Sequence, residues 1–375
     1  MSVPKKKILH VIDSFDLGGA QTFLLSLAKN LNPKLFVTEV AAMHGHGVFE
    51  SEFQKAGIKT HSLSPGKFPP LYLLNFPRLI HSGKFDILHF HLFGANLCAK
   101  PLAILSGHRA IVVHDQCNDA SRDQNPLLLA ADALANKGAS RLIAVSESVR
   151  RYLLEHEDVP FSKVEMIPNG LDAEEFVPAS AQEKEQARQA WNIPDKSFVI
   201  GGVGRLVPQK NFKLLLDVAA RLIPQHPNLL FVIAGSGPLE SELRAHAAVL
   251  GIAEKVRFLG HVSGRASLYH ALDLLLMPSD FEGTPMALLE AMACGLPVVA
   301  SGVDGIAEVC THGIDALLLP PGDLNGFANA MERVIRDESL RGMLGANARR
   351  RVLSCYEIQG LVRRIEMLYE QILNE

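Results

Sequence analysis

Short apolar runs recur along this chain, each followed by a stretch with helical spacing, and there are too many of them for one sheet. In the first half the runs lie at 8–12, 36–43, 87–90, 110–114 and 142–145. In the second half they lie at 198–203, 229–234, 256–259, 274–277 and 297–300. Their length and bounding residues are those of buried strands. Helical patterns fall between them, for example at 20–31, 49–56 and 214–222. Such alternation predicts parallel sheets covered by helices on both faces. A length of 375 residues points to roughly two domains. The expected fold is therefore α/β, two doubly wound, Rossmann-like domains.

The change-over lies between Asp172 and Asp195. It holds Pro178, Ala179, Ser180 and a charged, helix-like stretch at 182–191. We place a first domain at 1–175, a linker at 176–195, a second domain at 196–355 and a final helix at 356–375. That helix shows its period in Val362, Ile365, Leu368, Tyr369 and Ile372. In open α/β sheets ligands bind beyond the carboxyl ends of the strands, so the two domains are expected to open onto one cleft. The net charge of −3 gives no case for nucleic acid as a partner. The five cysteines (98, 117, 294, 310, 355) make no close pair and no metal pattern, which suits a reducing cytoplasm. No apolar run reaches 18 residues, so no membrane span is expected.

Two clusters carry chemistry. The run at 278–290, PSDFEGTPMALLE, follows the strand at 274–277. Thr284 is read as the N-cap, Pro285 as the first helical residue, and 286–293 as the helix. Glu282 then stands at a strand end and Glu290 in the second turn of the next helix. Free backbone N–H groups between them suit a phosphate. Carboxylates for hydroxyls and a helix end for phosphate fit a sugar nucleotide; a Glu kept only to stabilise a helix start is the plain alternative. In the second cluster, Arg205 and Lys210 follow the strand at 198–203 on one short loop. Two such cations can neutralise a diphosphate, Arg by its fork and Lys as a point charge.

Together with five further segments, these clusters resemble the retaining glycosyltransferases of family 4, which have the GT-B fold. The matching pieces are GGAQ at 18–21, IPNGLD at 167–172, GRLVPQKN at 204–211, IAGSGP at 233–238, FLGHV at 258–262, the run from Glu282 to Glu290, and AMACGLPVVA at 291–300. They occur in family order and span most of the chain.

The resemblance implies roles residue by residue. Arg205 and Lys210 bind the donor diphosphate and stabilise it as it leaves. Glu290 binds the ribose hydroxyls and Glu282 contacts the donor sugar. The backbone at Met286 and Ala287 matches the helix-end phosphate contacts, and Gly283, Thr284 and Pro285 before them belong to the donor-binding run. Leu259, Gly260 and His261 lie where the base is held. Gly18 and Gly19 form the loop that approaches the phosphate, and His114 matches a histidine near the anomeric centre. The final segment is implied to pack back on the first domain. The reaction implied is retaining transfer of a sugar from a UDP- or GDP-sugar to a glycan, lipid-carrier or small-molecule acceptor. It needs no cofactor and no metal, since the chain shows no Asp-x-Asp pair. A sugar-nucleotide epimerase and a non-catalytic sugar-nucleotide-binding protein stand as alternatives.

Three readings stay open at this level. His89 and His91 alternate on one strand and so share a face, as metal ligands would. No third ligand with suitable spacing follows, and a polar strand end lining the cleft is preferred. Residues 66–78 mix cations, aromatics and leucines, as a patch on the first domain that docks on the inner face of a membrane would. The competing reading is a loop and helix packed under the sheet. Finally, the run reads Gly-Thr-Pro after Glu282, where many family members carry Gly-Phe-Gly or Gly-Phe-Pro, and Asp304 stands where a glycine is common. Both leave the donor sugar open.

Overall fold

The structure, a computed structural model, describes residues 4–16, 18–45, 47–64, 71–116, 126–194, 196–262 and 264–375. Within them the chain divides into two units: Met1–Asn169 with Ile358–Glu375, and Gly170–Glu357. The boundary thus falls at Asn169/Gly170 rather than at 175. The helix Ala181–Ala190, read as linker, counts with the second unit, where Lys184 and Arg188 both bind the Asp273 carboxylate at 2.6 Å.

The first unit is built on a seven-stranded parallel sheet, β3-β2-β1-β4-β5-β6-β7. Its strands are β1 (Lys6–Ser14), β2 (Phe36–His44), β3 (Lys59–Ser62), β4 (Ile87–His91), β5 (Ile111–Asp115), β6 (Arg141–Ala144) and β7 (Val164–Met166). The second unit holds a six-stranded parallel sheet, β10-β9-β8-β11-β12-β13. Its strands are β8 (Phe198–Val203), β9 (Leu229–Ala234), β10 (Val256–Gly260), β11 (Leu274–Met277), β12 (Val298–Ser301) and β13 (Leu317–Leu319). Each sheet reverses its order once, between β1 and β4 and between β8 and β11. A switch point of this kind leaves a crevice at the carboxyl ends of the two strands.

Three strands lack a sequence signal. β3 reads Lys-Thr-His-Ser, and β7 and β13 are three residues long. All three are edge strands, which are kept short because a long apolar edge would invite pairing with another chain; β3 is polar, whereas β13 is Leu-Leu-Leu.

Packing follows the period-two alternation of the strands. In the first unit Leu9, Val11, Leu88, Phe90 and Val113 join one apolar cluster on one face. The residues between them, His10, His89 and His114, point to the other face. The helix Ile358–Asn374 covers part of that second face. It buries Ile358, Leu361, Val362, Ile365, Leu368, Tyr369 and Ile372, and its Glu366 accepts from the Asn32 N–H at 2.6 Å. Each such aliphatic or aromatic side chain contributes about 1.5–3 kcal/mol on burial. Among the described residues no helix is long and apolar enough to cross a membrane.

Candidate active site

In the second unit the loops after β8 and β11 meet at the switch point. Asn211 stands at φ +46 and caps the helix Phe212–Leu222, its Oδ1 accepting from Leu214 N–H. Its amide also donates to Asp280 Oδ1 at 2.9 Å. Gln209 braces the same junction: its carbonyl accepts from Asp280 N–H and its side chain donates to the Phe281 carbonyl, both at 2.9 Å. These bonds hold Lys210, on the β8 loop, against Glu282, on the β11 loop. Lys210 Nζ donates to Glu282 Oε1, which also accepts from Ser279 Oγ at 2.7 Å. Arg205, on the same loop as Lys210, is exposed; its carbonyl accepts from Val207 N–H at 2.9 Å, and its side chain makes no hydrogen bond or ion pair with the described residues.

Two glycines let the neighbouring backbones close in. Gly235 stands at φ +139, and a Cβ there would lie 1.9 Å from the Gly204 carbonyl oxygen. A Cβ on Gly305 would lie 1.6 Å from that of Gly283. No side chain fits at either position. Next to Gly305, Asp304 adopts φ +33. That left-handed backbone gives the physical reason why glycine is common there in the family.

The helix Met286–Ala293 begins one residue later than the sequence suggested. Pro285, not Thr284, is the N-cap, in extended backbone with no side-chain cap. The first N–H groups, on Met286 and Ala287, therefore have no acceptor among the described residues. Free N–H groups at an uncapped helix start are the kind of donors that suit an anion.

Glu290 lies one helical turn deeper and is 1% exposed. Its Oε1 pairs with Arg265 and its Oε2 accepts from the Tyr269 hydroxyl at 2.8 Å. Burial pushes the Glu290 carboxyl above the usual range, while Arg265 and then Tyr269 pull it back. Burial, with the Glu290 charge second, holds the Tyr269 phenol well above its ordinary value. Arg265 rests over the Phe176 ring, 5.7 Å from its centre. A carboxylate so held still has acceptor capacity left for hydroxyl groups.

The sequence reading missed Arg265, Tyr269 and Ser279. A signal existed for the first two: positions i and i+4 of the helix Arg265–Ala271 share a face. Tyr269 nevertheless reads as core in the run SLYHAL. Leu259 and Gly260 close β10 and are half-buried, and His261 after them is exposed. The Gly260 carbonyl accepts from Gly235 N–H at 2.7 Å, which brings this segment beside the β8 and β9 loops.

The remaining candidates lie in the first unit. Gly18 is the N-cap of the helix Gly19–Asn30, with extended backbone and no side-chain cap. Its carbonyl accepts from Thr22 N–H at 3.1 Å. His114 is fully buried on β5, edge-on to Phe23 at 5.3 Å and beside His89 and His91. Burial lowers its pKa to about 3, so the ring is neutral. His89 and His91 do not line a polar strand end, as the sequence reading preferred. Both are 0% exposed, and burial first, then neighbouring histidines, holds both well below the ordinary range. A further imidazole lies beside them, but upstream: His10 on β1 is in register with His89.

Of the segment at 66–78, residues 66–70 lie outside the described residues. The rest enters the helix Tyr72–Gly83, which buries Phe76 and Ile80 and exposes Leu73, Leu74 and Arg78.

Comparison with known proteins bears on these residues. The family model for glycosyl transferases group 1 matches residues 183–351, and that for glycosyltransferase family 4 matches 17–175. An uncharacterised glycosyltransferase of Methanocaldococcus jannaschii is 30% identical over 298 residues, covering 76% of this chain and 75% of its own. The UDP-Gal:alpha-D-GlcNAc-diphosphoundecaprenol alpha-1,3-galactosyltransferase of Escherichia coli is 28% identical over 311 residues, with 81% and 80% covered. Among solved structures, Anabaena HepE in complex with UDP and glucose superposes with a TM-score of 0.87. It is 22% identical, and the match covers 97% of this chain and 99% of HepE.

Proposed function

Because the chain belongs to the family 4 glycosyltransferases and has their two-sheet GT-B architecture, we propose that it moves a sugar from a nucleoside diphosphate donor with retention of configuration and without a catalytic metal. The observation that carries this reading is the β8/β11 switch point. There one unpaired cation (Arg205), one cation paired with a carboxylate (Lys210 with Glu282) and an uncapped helix start converge beside a buried carboxylate, Glu290.

As the bond from the anomeric carbon to the diphosphate breaks, negative charge grows on the leaving phosphate. Lys210, held by Glu282, and the N–H groups of Met286 and Ala287 are fixed positive groups at hand to stabilise it, and Arg205 adds a free charge. Together they are why no Lewis acid is required in this reading. Glu290, oriented by Tyr269 and Arg265, takes the ribose hydroxyls. Glu282, oriented by Lys210 and Ser279, takes a hydroxyl of the sugar. Gly18 and Gly19 carry the phosphate loop of the first unit in this reading. His114 enters it through the family resemblance alone.

A uridine donor is favoured over guanosine because HepE was solved with UDP and the E. coli relative is named for a UDP-sugar. The name of that relative also favours a lipid-linked acceptor. The exposed Leu73, Leu74 and Arg78 on the helix Tyr72–Gly83 would bring the first unit to such an acceptor at a membrane surface. The matched families are both transferases, which sets the epimerase and pure-binding alternatives behind transfer.

The test is to incubate the purified chain, with chelator present, with uridine-, guanosine- and adenosine-diphosphate sugars and measure released nucleoside diphosphate. Release from one donor that grows with added lipid-linked or glycan acceptor and disappears in Arg205→Ala supports the reading. The anomeric coupling of the product reads retention. No release from any donor, with or without acceptor, sinks it.

A further inference from the structure

The first unit contains a cluster of four histidines, of which the transfer reading uses only His114. His10 on β1 and His89 on β4 are register partners, as are His91 on β4 and His114 on β5. All four are 0% exposed. Their rings gather on one face of the sheet: His89 stacks on His91 at 4.2 Å, and His10 lies 5.0 and 5.2 Å from the two.

The hydrogen bonds do not account for this cluster. His10 Nδ1 and His91 Nε2 share one at 2.9 Å, and His89 Nδ1 meets the Tyr369 hydroxyl at 2.6 Å. His10 Nε2, His89 Nε2, His91 Nδ1 and both nitrogens of His114 are buried without a partner among the described residues. Buried polar groups without partners are rare in folded proteins, and each is costly. Valine or isoleucine, which fill the same kind of position elsewhere in this sheet, would carry no such cost. Something that accepts imidazole lone pairs resolves the deficit.

We propose that His10, His89 and His91 bind one divalent cation of the zinc class, with His114 beside the fourth position. One ring nitrogen from each of the three lies within 4.8 Å of those of the other two. Two nitrogens on a tetrahedral zinc ion stand about 3.3 Å apart, given Zn–N bonds of about 2.0–2.1 Å. Small ring rotations close that gap. Neutral imidazoles are the commonest nitrogen ligands, and a ligating histidine usually donates its other N–H to a fixed acceptor. The Tyr369 hydroxyl is that acceptor for His89 Nδ1–H, which leaves the Nε2 lone pair for the metal. The ion would clamp β1 to β4 and, through Tyr369, the helix Ile358–Asn374 to the sheet. It would be structural and separate from the transfer chemistry of the second unit.

The experiment uses the full chain. Metal content is measured after growth with zinc, and the chelator-stripped chain is titrated with Co²⁺. About one equivalent of zinc, visible Co²⁺ d–d absorption typical of a tetrahedral nitrogen site, and a thermal midpoint raised by zinc are expected. Tyr369→Phe should weaken zinc about 10- to 100-fold, as loss of an outer-shell partner does. Folded wild-type chain that holds no zinc and gives no Co²⁺ bands overturns the proposal. So does one equivalent retained by folded His10→Gln and His91→Gln variants, which would put the ion elsewhere. If those variants fail to fold, the wild-type spectrum still decides.

Discussion

In the second unit, the strands at the switch point end in loops whose charged groups either find a partner or reach solvent. Lys210 meets Glu282, Arg265 meets Glu290, and Arg205 stands free. In the first unit, β1 and β4 occupy the same place in the sheet order, yet bring three imidazoles that share a single hydrogen bond among themselves. The topology is alike and the chemistry opposite. The second site brings cations and an uncapped helix start together, with Lys210 and Arg265 held by carboxylates. The first is electrically neutral and short of partners. Sheet order therefore decides where a site can be, while the side chains at the strand ends decide what it can hold.

Substitutions can break this comparison. Lys210→Ala is expected to have the largest combined effect. It removes a cation from the leaving phosphate and leaves Glu282, 6% exposed, without its ion partner. We expect a stability loss of about 3 kcal/mol, read by denaturant unfolding, together with a large rate loss. Arg205→Ala should lower kcat/KM by about 2–4 kcal/mol, or about 30- to 900-fold. Because the exposed Arg205 side chain makes no hydrogen bond or ion pair with the described residues, the variant's stability should stay within about 0.5 kcal/mol of wild type. A rate loss that tracks a stability loss in Arg205→Ala would refute its role as a free charge.

Tyr269→Phe keeps the ring and removes the hydroxyl that holds Glu290. The cost is expected at about 1–3 kcal/mol in stability, with a raised donor KM and little change in kcat. An unchanged KM would separate Glu290 from donor binding.

The raised pKa of Glu290 gives a pH test with a definite sign. Its folded value lies above its unfolded one, so its contribution to stability is present below the unfolded value and is lost as pH rises through the folded value. Donor binding runs the other way, since the ribose hydroxyls need the ionised acceptor. As pH falls through the raised window, the free protein should gain stability from this group while donor KM rises. Glu290→Gln should flatten both trends in unfolding and kinetic series.

The smallest effect is expected at His114. Neither ring nitrogen has a partner, so His114→Phe should leave the thermal midpoint near wild type. Its loss in kcat should be smaller than that of Arg205→Ala. A larger one would move the chemistry toward the first unit.

Much of the fold was legible before the structure. The long apolar strands announce themselves because both of their faces are buried, and β8, β9 and β11 match their sequence bounds. β3 and β7 were silent because they carry polar residues and no apolar run, and β13, Leu-Leu-Leu, was missed because three residues are too few to stand out as a strand. Arg205, Lys210, Glu282 and Glu290 stood out in the sequence because they are charged residues in short runs directly after apolar strands. Arg265 and Tyr269 were not, because their part is to hold Glu290, and a tyrosine in an apolar helix looks the same whether or not its hydroxyl has work.

By itself, then, the sequence determined the two-sheet architecture and the charged segments beyond the strands, since strand periodicity and loop charge are local properties. Only the tertiary structure decided which charge meets which, that Pro285 leaves the helix start open, and that His10 joins His89 and His91. Those depend on strand register and on loops far apart in the chain, where a shift of one residue would turn every one of these side chains to the other face.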